Sequence, residues 1–283
     1  MIATKNFTML AQNNNNNYVL QACLAAMSIH TTNKDVSICL ISNDPVPSKY
    51  KMLFDHIVDI PWGDHAEHED WKISNRWKIY HAIPYNETVV IDTDMLVLQD
   101  ISVWFDFLQN YDLFYTSKVY TYRGDIIYDE TYRKAFHKFD LPNLYSGFHY
   151  FKKSDLAHEF YTWLEMITNN WQQFYKAHAC GKIYQNVCSM DVSAAIAAKI
   201  MNIENKIINP NVKYPSFTHM KSRIQDWETY VSERWQDRVE PYLSNDLTLK
   251  IGNFTQTGIF HYTEKDFVND EIIHAYEKHL GIS

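Results

Sequence analysis

The sequence lacks most of the features that would assign it to a class quickly. It has four cysteines, Cys23, Cys39, Cys180 and Cys188, and none of their spacings makes a zinc knuckle. Cys23 falls on a predicted helix and Cys39 in a predicted strand, so reduced, buried thiols and a reducing compartment are expected. The formal net charge is -8, and no block of Lys or Arg is long enough to form a basic stripe. That argues against a non-specific nucleic-acid binder and leaves open an enzyme acting locally on DNA. The N-terminus has no charged-then-apolar leader pattern, and no apolar run approaches the ~18 residues that cross a bilayer. A soluble, cytoplasmic protein is expected. Apart from the run Asn13 to Asn17, no linker, repeat or low-complexity tract divides the chain, and one domain over 1–283 is expected.

The chain does have enough apolar material for a large α/β core, with 283 residues and 46% hydrophobic content. It also has 20 Tyr and 8 Trp, a surplus of amphipathic rings that suits a site stacking bases or sugar faces. Phe7 to Ala11, Val36 to Ile41 and Ile57 to Ile60 read as strands. Between them lie a helix from Tyr18 to Ile29 and a short one from Ser48 to Phe54, the opening of a mostly parallel sheet. Ser74 to Ala82 reads as a helix with Ser74 as N-cap, and Leu113 to Thr116 as a strand. Ser117 to Asn143 reads as a long loop, Leu144 to Phe151 as a strand interrupted by Gly147, and Ser154 to Asn169 and Asp191 to Met201 as helices. Gln225 to Tyr242 reads as a surface helix, Gly258 to Tyr262 as a last strand, and Asp266 to His279 as a closing helix.

The most informative stretch is V-V-I-D-T-D-M-L, Val89 to Leu96. Thr88 to Ile91 reads as a strand buried on both faces, and Asp92 and Asp94 follow at once, with Thr93 between them. Residues i and i+2 point the same way, so the two carboxylates share one field, which a divalent cation such as Mg²⁺ or Mn²⁺ would relieve. The alternative is a strand end whose two Asp side chains face water.

The order of motifs resembles that of glycosyltransferases of the GT-A fold, particularly glycogenin and its retaining relatives, and is similar to glycosyltransferases of tailed phages. It runs through a first strand ending in a polar loop, a basic residue one helix before an apolar strand, D-x-D, an S-G strand, an Asp-led helix and a late His. The resemblance implies an α/β fold with a nucleotide-binding half, 1–116, and an acceptor-side half, 117–283. It implies a hexosyltransferase using Mn²⁺ or Mg²⁺ and a nucleotide-sugar, UDP-sugar first, in the host cytoplasm if phage-encoded. The metal ligands are then Asp92, Asp94 and His261, with Asp92 and Thr93 also near the donor. Ala11, Gln12, Asn13 and Tyr18 would hold the base. Arg76 or Lys78 would bind phosphate, with the other solvated, and Lys265 would lie near the diphosphate, although the family's Gly and Pro-Trp neighbours of that lysine are missing. Ser146 and Gly147 match the family's N-S-G, with Tyr145 in place of Asn, and Asp191 matches the catalytic Asp of its D-Q-G helix, with Val192 and Ser193 in place of the last two residues. Bland readings run beside these: a structural His, a flexible Asn turn, an N-cap Asp.

Three other classes are weighed against the pattern. In a haloacid-dehalogenase-like phosphatase Asp92 would be the nucleophile and Asp94 the general acid, with Gly124 to Asp129 supplying G-D-x-x-x-D. That fold starts with its Asp strand, whereas about three strands precede this one. A nucleotidylyltransferase wants a Gly-rich first loop, and Asn13 to Asn17 contains none. A non-catalytic sugar-binding protein needs no D-x-D, late His and basic contact together. His65, His68 and Glu69 lack the H-E-x-x-H register and read as a solvated loop.

Overall fold

The computed structural model describes residues 5–70, 72–127, 133–178, 187–220, 241–262 and 267–282. β1 (Lys5–Leu10), β2 (Val36–Ile41) and β3 (His56–Val58) run parallel. Parallel neighbours need a crossover, which α1 (Tyr18–Thr32) supplies between β1 and β2 and a 3-10 turn (Ser48–Leu53) between β2 and β3. Asn17 caps α1, its side chain accepting the N–H of Leu20 at 2.9 Å.

β4 (Glu87–Ile91) adds in parallel on the other side of β1. β5 (Met95–Val97) follows directly, then α3 (Ser102–Leu108) and β6 (Leu113–Thr116); α2 is the single turn Ile79–Ala82 before β4. β7 (Tyr145–Lys152) runs antiparallel to both β4 and β6, so the six-stranded sheet, in order β3-β2-β1-β4-β7-β6, is mixed. Its two faces carry separate cores. Val89 and Ile91 of β4 join α1 and the closing helix Asp270–Leu280 on one face, while Val90 joins α5 (Asp155–Asn169), α6 (Trp171–His178) and α7 (Met190–Met201) on the other. β4 is thus buried on both faces. Cys23 and Cys39 are buried free thiols, which desolvation pushes up to about 12, and Cys180 lies outside the described residues.

A second sheet, β5-β12-β8, sits at the end of the first. β8 is Phe217–His219 and β12 is Ile259–His261, and a third sheet joins β9 (Pro241–Leu243), β10 (Leu249–Ile251) and β11 (Phe254–Thr255).

Several expected elements are corrected. The helix at Ser74 is a 3-10 turn, Arg76–Lys78, running into α2, and Ser74 does not cap it; the Ser74 N–H and hydroxyl both donate to Glu69. Ile83, at ψ 139, leaves the helix because it precedes Pro84. β7 passes Gly147 without interruption, its one register shift lying opposite Tyr115 and Thr116. The stretch 117–143 is not all loop: α4 (Lys134–Lys138) lies in it, and Tyr120 bridges to Ile126 and Thr218. Tyr242 is on β9, opposite Lys250, and the remainder of the expected helix, 225–240, lies outside the described residues, apart from Pro241, which opens β9. Asn269 caps the closing helix, which starts at Asp270. Among the described residues no helix is long and apolar enough to cross a membrane.

Candidate active site

The site forms where β4 leaves the sheet. The N–H of Asp92 donates to the Gly147 carbonyl at 3.0 Å, the last rung of the β4–β7 ladder, and the chain turns through buried Thr93 into β5. β5 pairs antiparallel with β12 so that His261 lies opposite Met95, one residue beyond Asp94. This register carries an imidazole from late in the chain to the D-x-D: His261 Nε2 lies 2.9 Å from Asp94 Oδ1. One ligand atom each from Asp92, Asp94 and His261 lie within 4.8 Å of one another.

The His261 ring is buried, at 4% exposure, and neither nitrogen makes a hydrogen bond, so the 2.9 Å approach to Asp94 is not aligned as one. Burying an imidazole with unused nitrogens costs free energy that a further partner would return. Two carboxylate oxygens and an imidazole nitrogen converging on one point form a donor set that suits a divalent cation. The residues therefore fit a metal. His261 is fixed from behind by His219, stacked at 4.9 Å, and by the edge of Phe217.

Arg76 forms an ion pair with Asp92. Its turn is held in place by Glu69, whose carboxylate accepts the N–H groups of Ile73 and Ser74, so Glu69 is not part of a solvated loop, although His65 and His68 are exposed. Gly147 faces Asp92 across the strand. A Cβ there would lie 2.8 Å from Met95 Cε and 3.2 Å from Asp92 Oδ2. Gly147→Ala is expected to fold but to push Asp92 aside, weakening Mn²⁺ binding about tenfold, the usual scale for disturbing a ligand's support. A manganese titration of the variant checks this, and unchanged affinity would contradict it.

Asp191 sits at the start of α7. Its Oδ1 accepts the N–H and hydroxyl of Ser146, and its Oδ2 pairs with Arg133 at 2.6 Å. Behind Ser146, His149 Nδ1 donates to the Ser146 carbonyl at 2.9 Å and Nε2 accepts from Tyr161 at 3.0 Å. Burial pushes this imidazole down to about 4, so it stays neutral and acts as a fixed support.

The metal-site residues and Asp191 open on one cavity of about 680 Å³, within the range of small-molecule sites. Of the residues singled out from sequence, Asp92, Thr93, Asp94 and His261 lie on its wall with Arg76. Ser146, Gly147 and Asp191 also line it, as do Gln12 and Tyr18 from the first loop. Ala11 is buried beneath that loop. Asn13 is tied to Asp44 and to the Val19 N–H and does not line the cavity. Lys78, expected to be solvated if it was not on phosphate, is buried and donates to the Gly63 carbonyl, because the tight turn points it inward. Lys265 lies outside the described residues.

Sequence reading missed Gln21, Lys72, His219 and Arg133. Gln21 stands three residues after Tyr18 and so shares its helix face, a signal that was there to be used. His219 and Arg133 arrive through long-range packing that leaves no local trace.

No protein-family model matches the chain, and no curated protein matches it in sequence. Solved structures do match. The galactosyltransferase LgtC, in complex with donor and acceptor sugar analogues, aligns over 98% of this chain and 96% of its own, at 12% identity and a TM-score of 0.51. The apo form of mouse xyloside xylosyltransferase 1 aligns over 92% of this chain and 97% of its own, at 12% identity and a TM-score of 0.51. Together with the six-stranded sheet ending in a D-x-D, these matches show that the chain has the GT-A glycosyltransferase fold.

Proposed function

We propose that this protein is a metal-dependent glycosyltransferase that moves a sugar from a nucleotide-sugar, a UDP-sugar, to an acceptor hydroxyl. The observation that carries the reading is the convergence of Asp92, Asp94 and His261 on the wall of a cavity large enough for a donor. Those three residues would hold Mn²⁺ or Mg²⁺. When bound, the cation supplies neutralisation of the charge that develops on a departing diphosphate. Arg76 neutralises Asp92 and adds a guanidinium to the same wall. Tyr18 offers a ring and Gln12 and Gln21 offer amides for the base and ribose. Gly147 keeps the floor bare of side chain, and Asp191, held by Ser146 and Arg133 on the cavity wall, would face the reacting carbon of a bound sugar. Retention of anomeric configuration is assigned on the family resemblance.

The phosphatase reading has less support. β4 is the fourth strand in the chain, and exposed Asp125 does not line the cavity. A thermal-shift comparison separates the two. UDP with Mn²⁺ is expected to raise the melting temperature by several degrees, since saturating a site at about 100 times Kd adds about 2.7 kcal/mol. UDP with a chelator should give a much smaller shift. A response to phosphomonoesters alone would count against the transferase.

A further inference from the structure

On α1, where the neighbouring side chains Val19, Ala22, Cys23 and Leu24 are buried and apolar, Gln21 is buried as well, at 4% exposure. It also lines the reaction cavity. Among the described residues its carboxamide has one hydrogen bond, accepted at Oε1 from Thr93 Oγ at a long 3.4 Å, and neither N–H of Nε2 has a partner. Ser28, buried on the same helix, shows the usual outcome. Its hydroxyl donates to the Ala25 carbonyl at 2.7 Å and accepts the Val97 N–H at 2.9 Å. Methionine would fill the Gln21 site without the cost of a buried amide, and a ligand's hydrogen bond would return that cost.

Its place on the wall says which part of a ligand the amide meets. Gln21 stands one turn after Tyr18, which also lines the cavity, and it touches Thr93, the residue between Asp92 and Asp94. The amide therefore lies between an aromatic side chain and the two carboxylates. In a nucleoside diphosphate with its phosphates at the carboxylates and its base at Tyr18, the pentose occupies that interval. A neutral amide also suits a hydroxyl better than a phosphate, for which the Arg76 guanidinium stands on the same wall.

From these features we infer that Gln21 is a specificity residue for the donor. Its Nε2 donates to a hydroxyl oxygen of the ribose, and the site thereby selects nucleotides with an intact ribose diol over deoxy ones. This assignment deepens the transferase reading above and rests on it. The discrimination follows from burial: an amide whose N–H has been taken out of water loses its partner when the nucleotide lacks the hydroxyl.

The test is a calorimetric titration of the protein, in Mn²⁺, with UDP, 2′-deoxy-UDP and 3′-deoxy-UDP. The wild-type protein is expected to bind UDP about tenfold more tightly than one of the deoxy analogues, the scale of one hydrogen bond to a buried group. The analogue that binds weakly identifies the hydroxyl. In Gln21→Met, UDP should weaken to the level of that analogue, while the analogue itself should bind as it does to the wild type. The melting temperature of the unliganded variant should not fall, since a single 3.4 Å contact is what the amide gives the fold. Thr93→Val, which removes the hydroxyl that holds the amide, should reduce the preference for UDP. Equal binding of all three nucleotides by the wild type, or equal weakening of all three in Gln21→Met, would overturn the inference and leave the transferase reading standing. Absence of UDP binding to the wild-type protein would overturn both.

Discussion

Replacing Asp94 by alanine is expected to lower metal-dependent turnover of a nucleotide-sugar by about 10³-fold or more, equivalent to about 4 kcal/mol of transition-state stabilisation. Asp94 lies within reach of Asp92 and His261, so its loss removes one of three donor groups and leaves buried His261 beside an empty space. Its side chain is 18% exposed at a cavity wall, outside the apolar core, and the fold should survive. Circular dichroism and a cooperative unfolding transition check the second expectation, and hydrolysis of the donor in Mn²⁺ checks the first. A folded Asp94→Ala protein with unchanged turnover would contradict the proposed role.

Arg133→Met is expected to be the most destabilising single change near the site. The Arg133 guanidinium is nearly buried, pairs with Asp191 Oδ2 at 2.6 Å, and donates to Asn143 Oδ1 at 2.9 Å and to the Leu144 carbonyl. It also lies between two rings, 3.7 Å from the centre of Phe136 and 4.0 Å from that of Tyr145. Methionine keeps the bulk but removes the cation from Asp191 Oδ2, leaving only the Ser146 contacts at Oδ1. Breaking a buried pair costs about 3–5 kcal/mol, and the partial exposure of Asp191, at 21%, places this case near the lower end. A urea titration should show a lower midpoint with unchanged slope. Arg133→Lys should recover little, since an ammonium can neither fork between two acceptors nor stack as a plane. A loss below about 1 kcal/mol would mean that the pair is no more than a surface contact.

Much of this was legible in the residues. β2 and β6 begin and end where their apolar runs do, because β-branched and aromatic stretches bounded by turn residues have few other ways to bury themselves. Asp92 and Asp94 stood out because anions at the end of a doubly buried strand need a reason. The grouping of His261 with them came from the family resemblance, and the physical cause, its antiparallel register with Met95, is non-local. The failures have causes at shorter and longer range. Ser74 had the letters of an N-cap, but Glu69 took its hydroxyl and N–H. Lys78 had the letters of a solvated cation, but a 3-10 turn in place of an α-helix pointed it at Gly63. Arg133 lay in a stretch read as loop, and what ties it to the site is Asp191, fifty-eight residues on.

The central claim is that Asp92, Asp94 and His261 together hold a divalent cation. Electron paramagnetic resonance of Mn²⁺ titrated into the protein measures this directly, because bound manganese loses its sharp six-line signal. The expected result is one bound ion per chain, tightened by UDP and lost in both Asp94→Ala and His261→Ala. Equal manganese binding in the wild-type protein and in a folded His261→Ala variant would contradict the account.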